Sequence, residues 1–180
     1  ADFGKGPVAS HLPLELQTGI RLHRRIDAFT NQHDLIRSTC ASFPPGLRRY
    51  APIFLDILGD YYLSQTWDDY YAETRPQFSQ RCYDACTAYA HHLEETKAPQ
   101  LHTFMQYMRS SDLLANYHDW EHVERGLHSV LRRLGQTSLY EAVNIAADAQ
   151  RDSGEHAFRL YFSDIRDQLP AWATLTAAVQ

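Results

Sequence analysis

Apolar residues recur three and four positions apart along nearly all of this 180-residue chain, and nowhere do they alternate with polar ones. A spacing near 3.6 builds one face of a helix, and a spacing of two builds one face of a strand. The pattern therefore asks for helices and offers nothing from which to make a sheet. No internal repeat is present. The expectation is an all-α fold: a single domain spanning 1–180, built as a bundle of about six or seven helices with short loops. Hydrophobic residues make up 44% of the chain, enough at this length for a proper core.

Breakers divide the pattern. Residues 1–12 hold Gly4, Gly6 and Pro7 and read as a loop. Pro13 opens a helix over 13–30, with Leu14, Ile20, Leu22, Ile26 and Phe29 on its apolar face. Thr30 or Asn31 is placed to cap the next segment. Ser42-Phe43-Pro44-Pro45-Gly46 is a clear break. A second helix is expected over 47–67, with Pro52 in its first turns and a wide apolar surface from Ile53, Leu55, Ile57, Leu58 and Leu63. Further helices are expected over 77–95, 100–109 and 111–134. The first of these carries Phe78, Cys82, Cys86 and Tyr89 on one face. Ser138 and Glu141 have capping-box spacing for a helix running to Asp152. A last helix is expected over 155–169.

Composition narrows the function. The net charge is −5 with all ten His neutral, which argues against general nucleic-acid binding. Three Cys are too few for a disulfide framework and suit a reducing compartment. Cys82 and Cys86 have helical spacing; two small buried residues is the simpler reading, and a metal pair is the alternative. No apolar run reaches the length of a membrane span, and no signal peptide is visible. A cytoplasmic location is the resulting expectation.

The densest chemistry lies in Gly19 to His33, GIRLHRRIDAFTNQH. His23 and Asp27 are four apart and share a helix face, where an imidazole and a carboxylate can hold a divalent metal or simply bond each other. Arg24 and Arg25 beside them carry the forked donors that grip phosphate oxygens. A second pair, Asp56 and Asp60, repeats the spacing within an apolar helix. Buried carboxylates need a cation, an Arg or water. Ion pairs with Arg25, Arg48 or Arg49 are one solution, and a metal facing His23 and Asp27 is the other. Oxygen-rich ligation with one or two His favours Mn²⁺ or Mg²⁺ over structural Zn²⁺. The dipeptides His33-Asp34 and His118-Asp119, the set Glu121, Glu124 and His128, and the pair His91-His92 are too short or wrongly spaced to mark a site. The second dipeptide also looks like a polar helix start.

Four stretches carry a family resemblance: ADFGKG at 1–6, GIRLHRRIDAFTNQH at 19–33, RRYAPIFLDILGDYYLSQTW at 48–67, and FRLYFSDI at 158–165. With these the chain resembles the bacterial acyl carrier protein phosphodiesterases, and the first 67 residues carry nearly all the specificity. The resemblance implies an all-helical fold distantly related to the His-Asp phosphohydrolases. It implies hydrolysis of the phosphodiester joining 4′-phosphopantetheine to a serine of acyl carrier protein, with Mn²⁺ or Mg²⁺ required. Carried over by position, it implies Asp2, His23, Asp27 and Asp60 as metal ligands, lined by Arg24, Arg25 and His33. On that reading Arg24 or Arg25 neutralises the phosphoryl oxygens, and His33 protonates the leaving serine. An acidic carrier protein would be met by Lys5, Arg21, Arg37, Arg48 and Arg49, and a monomer is expected.

The chain departs from the family pattern in two places. A His-containing segment usually stands ahead of ADF, so a native N-terminal segment is expected before Ala1. Tyr61 stands where the family has His after Asp60. Other functional classes consistent with the residues are a metal phosphohydrolase acting on small phosphoesters or nucleotides, and a non-catalytic helical module binding an acidic protein.

Overall fold

The computed structural model describes residues 6–89, 92 and 98–177. Among them are nine α-helices: α1 Leu14–Gln32, α2 Asp34–Ser42, α3 Ala51–Gln65, α4 Arg75–Tyr89, α5 Ala98–Ser111, α6 Leu113–Asn116, α7 Trp120–Arg133, α8 Tyr140–Arg151 and α9 Gly154–Ala177. No strand occurs among the described residues. The all-α expectation is met.

α3 is the central helix. Pro52 sits in its first turn, where the missing N–H is no loss. Ala51, Phe54, Ile57, Leu58, Tyr61 and Tyr62 are buried along it. They pack against Val123, Leu127, Val130 and Leu131 of α7 and Val143, Ala146 and Ala147 of α8, with Phe43, Leu47 and Tyr50 closing the end near the start of α3. Each fully buried large apolar side chain in such a core contributes about 1.5–3 kcal/mol. A smaller cluster of Tyr83, Met105 and Met108 joins α4 and α5.

The ends of α7 are well defined. Asp119 caps its start, accepting from the Glu121 N–H at 3.1 Å. Gly135, at φ +68, ends it: Gln136 N–H donates to the Leu131 carbonyl at 2.8 Å. The polar helix start expected at His118-Asp119 is thus real.

Several boundaries differ from expectation. The single helix expected over 111–134 is two, α6 and α7. The break falls at Asp119, whose extended backbone caps α7, while Asp112, at φ +40 with its carboxylate accepting from the Ser79 hydroxyl of α4 at 2.8 Å, stands between α5 and α6. The Ser138–Glu141 capping box does not form; residues 137–139 make a 3₁₀ turn and α8 starts without a side-chain cap. α9 runs on through Pro170 to Ala177 rather than stopping at 169. Neither Thr30 nor Asn31 caps α2, whose N-cap is His33. The Thr30 hydroxyl instead donates to the Ile26 carbonyl at 2.9 Å and accepts from Tyr161 Oη at 2.6 Å. α4 buries Ser79 and Tyr83, leaving Cys82 half-buried and Cys86 exposed, so the two cysteines are not a buried pair.

α1 lies along α9, yet no residue of α1 is buried. Its apolar face opens onto a cavity between α1, α2, α3 and α9, and that cavity holds the chemistry.

Candidate active site

The cavity has a volume of about 960 Å³. α1 presents His23, Ile26, Asp27 and Thr30 to it, because positions three and four apart share one helix face. α3 presents Asp56, Gly59, Asp60 and Leu63 by the same spacing. α9 supplies an aromatic wall of Phe158, Tyr161 and Phe162, and α2 supplies Leu35, Ile36, Arg37 and Cys40. Arg133, from the end of α7, completes the lining on one side.

His23 Nε2 stands 3.4 Å from Asp27 Oδ2. Asp56 and Asp60 face the same space, and no salt bridge among the described residues involves either. The arginines that the sequence offers as partners are engaged elsewhere: Arg48 Nε donates to the Phe43 carbonyl at 2.9 Å, and Arg49 lies over the Tyr50 ring. Burial pushes the Asp60 carboxyl up to about 7, with the charge of Asp56 adding to the effect. Burial likewise pushes Asp56 up to about 6; Asp27 raises it further and His23 opposes. Asp60 is open to water on the cavity side, but protein walls it elsewhere, and that enclosure governs its titration. The four side chains form one electrostatic unit with excess negative charge.

Three carboxylates and an imidazole suit a hard divalent ion in the kind of donor they offer. Among the described residues, however, no three His, Cys, Asp or Glu side chains gather as a ready metal group. Asp2, the ligand implied from the N-terminal loop, lies outside the described residues, as does Lys5.

Residues 1–165 match the sequence profile of the acyl carrier protein phosphodiesterases. The chain belongs to this family. It is 30% identical over 162 residues to the acyl carrier protein phosphodiesterase of Salmonella dublin, an alignment covering 88% of this chain and 80% of the relative. The Salmonella newport and Salmonella heidelberg proteins of the same name are each 29% identical over the same shares. No solved structure matches the chain.

The remaining family-implied positions spread out. His33 does not line the cavity. Its side chain is 13% exposed, its Nε2 bonds Asp164 Oδ2 of α9 at 3.0 Å, and its ring packs against Phe29 and Tyr161. Arg24 and Arg25 are exposed and also lie outside the lining. At about 100° per residue, Arg24 borders the face that bears His23 and Asp27, while Arg25 points to the far side. Arg21 bonds Gln17 at 2.9 Å. Tyr61 turns away from the cavity: its ring meets Trp120 of α7 edge-on at 5.0 Å, while its neighbours Asp60 and Tyr62 line the cavity. A Tyr here fills the α3–α7 interface.

Sequence reasoning misses Arg133 and the aromatic wall of α9 as parts of the site. The wall has a signal, since Phe158, Tyr161, Phe162 and Ile165 repeat at helical spacing. Arg133 has none, because its place depends on how α7 crosses α3.

Proposed function

We propose that this protein hydrolyses the phosphodiester between 4′-phosphopantetheine and the serine of holo acyl carrier protein, releasing apo carrier protein, and that it does so with a divalent cation, Mn²⁺ or Mg²⁺. Family membership supports the reaction, and the relatives carry that activity in their names. The observation that carries the site assignment is the gathering of three acids, Asp27, Asp56 and Asp60, with His23 in a single cavity.

His23, Asp27 and Asp60, with Asp2, would hold the ion. Once bound, it would polarise a phosphoryl oxygen and acidify a water. The surrounding residues do the rest. Arg37 and Arg133 line the cavity and face the charge that grows on the phosphoryl oxygens, with Arg24 at its edge. Asp56, the remaining carboxyl on that wall, is placed to pass a proton to the leaving serine oxygen. The apolar wall of α9 excludes water from the arm beyond the phosphate. His33 holds α1 to α9, and so positions His23 and Asp27, instead of protonating the serine itself.

The test is a mass measurement on holo acyl carrier protein incubated with the purified chain and Mn²⁺. Loss of the phosphopantetheine mass with the wild type, abolished by Asp60→Asn and by a chelator, is the expected result. Turnover that survives the chelator would overturn the metal assignment. Turnover of small phosphodiesters or nucleotides with none of the carrier protein would replace the substrate.

A further inference from the structure

Among the described residues, four hydroxyls line the cavity: those of Thr30, Thr39, Tyr62 and Tyr161. Three of them give their proton to a backbone carbonyl. Thr30 donates to Ile26 at 2.9 Å, Thr39 to Leu35 at 2.8 Å, and Tyr62 to Gln150 at 2.6 Å. Each threonine does so four positions after the carbonyl, the usual bond for this residue inside a helix. Tyr161 is different. Its Oη lies 2.6 Å from Thr30 Oγ1, and since the Thr30 proton is committed to Ile26, the tyrosine is the donor. Its acceptor is a neutral hydroxyl rather than a carbonyl.

The ring of Tyr161 is fixed independently of that bond. Phe29 stacks on it with centroids 6.5 Å apart, and His33 meets it edge-on at 5.2 Å. The other α9 side chains on the cavity, Ala157, Phe158, Phe162 and Ile165, are apolar, so Tyr161 is where that wall turns polar. It does so on the side of the acids. Burial holds the Tyr161 hydroxyl above its ordinary pKa; the Thr30 bond opposes, and the charges of Asp56 and Asp27 add to the effect of burial. A neutral donor therefore stands close enough to both carboxylates to feel their fields.

We infer that Tyr161 is a substrate-binding residue, whose hydroxyl turns from Thr30 to donate to a phosphoryl oxygen of the phosphodiester. The inference rests on the function proposed above and adds a residue to it. A hydrogen bond to a charged acceptor is about twice as strong as one between neutral groups, so an anionic phosphoryl oxygen outcompetes Thr30 Oγ1 for the proton. The exchange needs only the O–H to rotate, because Phe29 and His33 already hold the ring. Thr30 keeps its bond to the Ile26 carbonyl, so no donor is left unsatisfied by the change. A cation in this place would pair with Asp27 and Asp56, whereas a phenol keeps its proton for the substrate.

The experiment is a calorimetric titration of the full chain with 4′-phosphopantetheine, the product of the proposed reaction, in buffer containing Mn²⁺. Two variants are compared with wild type. Tyr161→Phe removes the donor; Thr30→Val removes the bond between the two hydroxyls and leaves the donor in place. Urea midpoints are recorded for each, because a role confined to holding α1 against α9 would make the two variants behave alike. Tyr161→Phe should bind the product about tenfold more weakly than wild type, and Thr30→Val within about twofold of it. Inorganic phosphate, used as a competitor, should lose affinity for Tyr161→Phe by a similar factor. Equal product affinity in wild type and Tyr161→Phe, equal weakening in both variants, or no binding to wild type would overturn the inference. So would a phosphate affinity that Tyr161→Phe leaves unchanged, since the hydroxyl would then meet the arm. Release of phosphopantetheine from holo acyl carrier protein is followed in parallel. If product binding behaves as described while wild type releases none, the proposed reaction falls and the phosphate contact of Tyr161 stands.

Discussion

Asp60 is where sequence, fold and chemistry meet. Its carboxyl is raised to about 7 and that of Asp56 to about 6, both from an ordinary value of 3.8. The folded protein therefore keeps protons on these groups at pH values where the unfolded chain has lost them. A raised folded value means that stability is fully present below the unfolded pKa and is lost as pH rises through about 6 and then about 7. The metal-free protein should accordingly melt at a lower temperature at about pH 8 than at about pH 5. Asp60→Asn should narrow that difference and raise the midpoint at the higher pH, while abolishing turnover. Scanning calorimetry at the two pH values, with chelator present, checks both parts. Added Mn²⁺ should stabilise the wild type more at the higher pH, where its ligands are ionised, and Asp60→Asn much less.

At the scale of elements, α1 is held by α9 rather than by the core. The clamp consists of His33 with Asp164, Tyr161 with Thr30, and Phe29 stacked on Tyr161 and edge-on to Trp172. His33→Ala removes both a polar bond and a packed ring, and should cost about 1–3 kcal/mol in urea unfolding. On the proposed role of the imidazole in orienting α1, it should lower kcat while leaving the pH profile of turnover in place. A second element-level prediction concerns Gly154, the first residue of α9. Tyr62 Oη lies where a Cβ at this position would sit, and it donates to the Gln150 carbonyl at 2.6 Å. Gly154→Ala must displace that ring, so a loss of about 1–3 kcal/mol is expected in the same assay.

These elements also show how much can be read from residues alone. α1 and α3 announce themselves, because local breakers and 3.6 periodicity decide them. The bond from Ser79 to Asp112, at the turn between α5 and α6, does not, since it joins residues 33 apart on different elements. His33 misleads for the same reason: its partner Asp164 is 131 residues away. The paired acids of α3 are legible as a pair, because two carboxylates in an apolar helix demand an explanation. That they share a cavity with His23 and Asp27 emerges only from how α2 and α9 hold α1.

At the scale of the whole molecule, charge is sorted into regions. Asp27, Asp56 and Asp60 share the cavity wall with His23, Arg37 and Arg133 line the same cavity, and Arg81, Arg109, Arg125 and Arg159 sit in ion pairs elsewhere. No described helix is long and apolar enough to cross a membrane. This arrangement predicts that kcat/KM for the protein substrate falls as ionic strength rises, with the effect concentrated in KM.

The proposed reaction is tested most directly by the mass of holo acyl carrier protein before and after incubation with the purified full-length chain and Mn²⁺. The wild type should convert it to apo carrier protein with free 4′-phosphopantetheine, and Asp60→Asn should convert none under the same conditions. An unchanged holo mass with folded wild-type protein, or equal conversion by wild type and Asp60→Asn, would contradict the assignment.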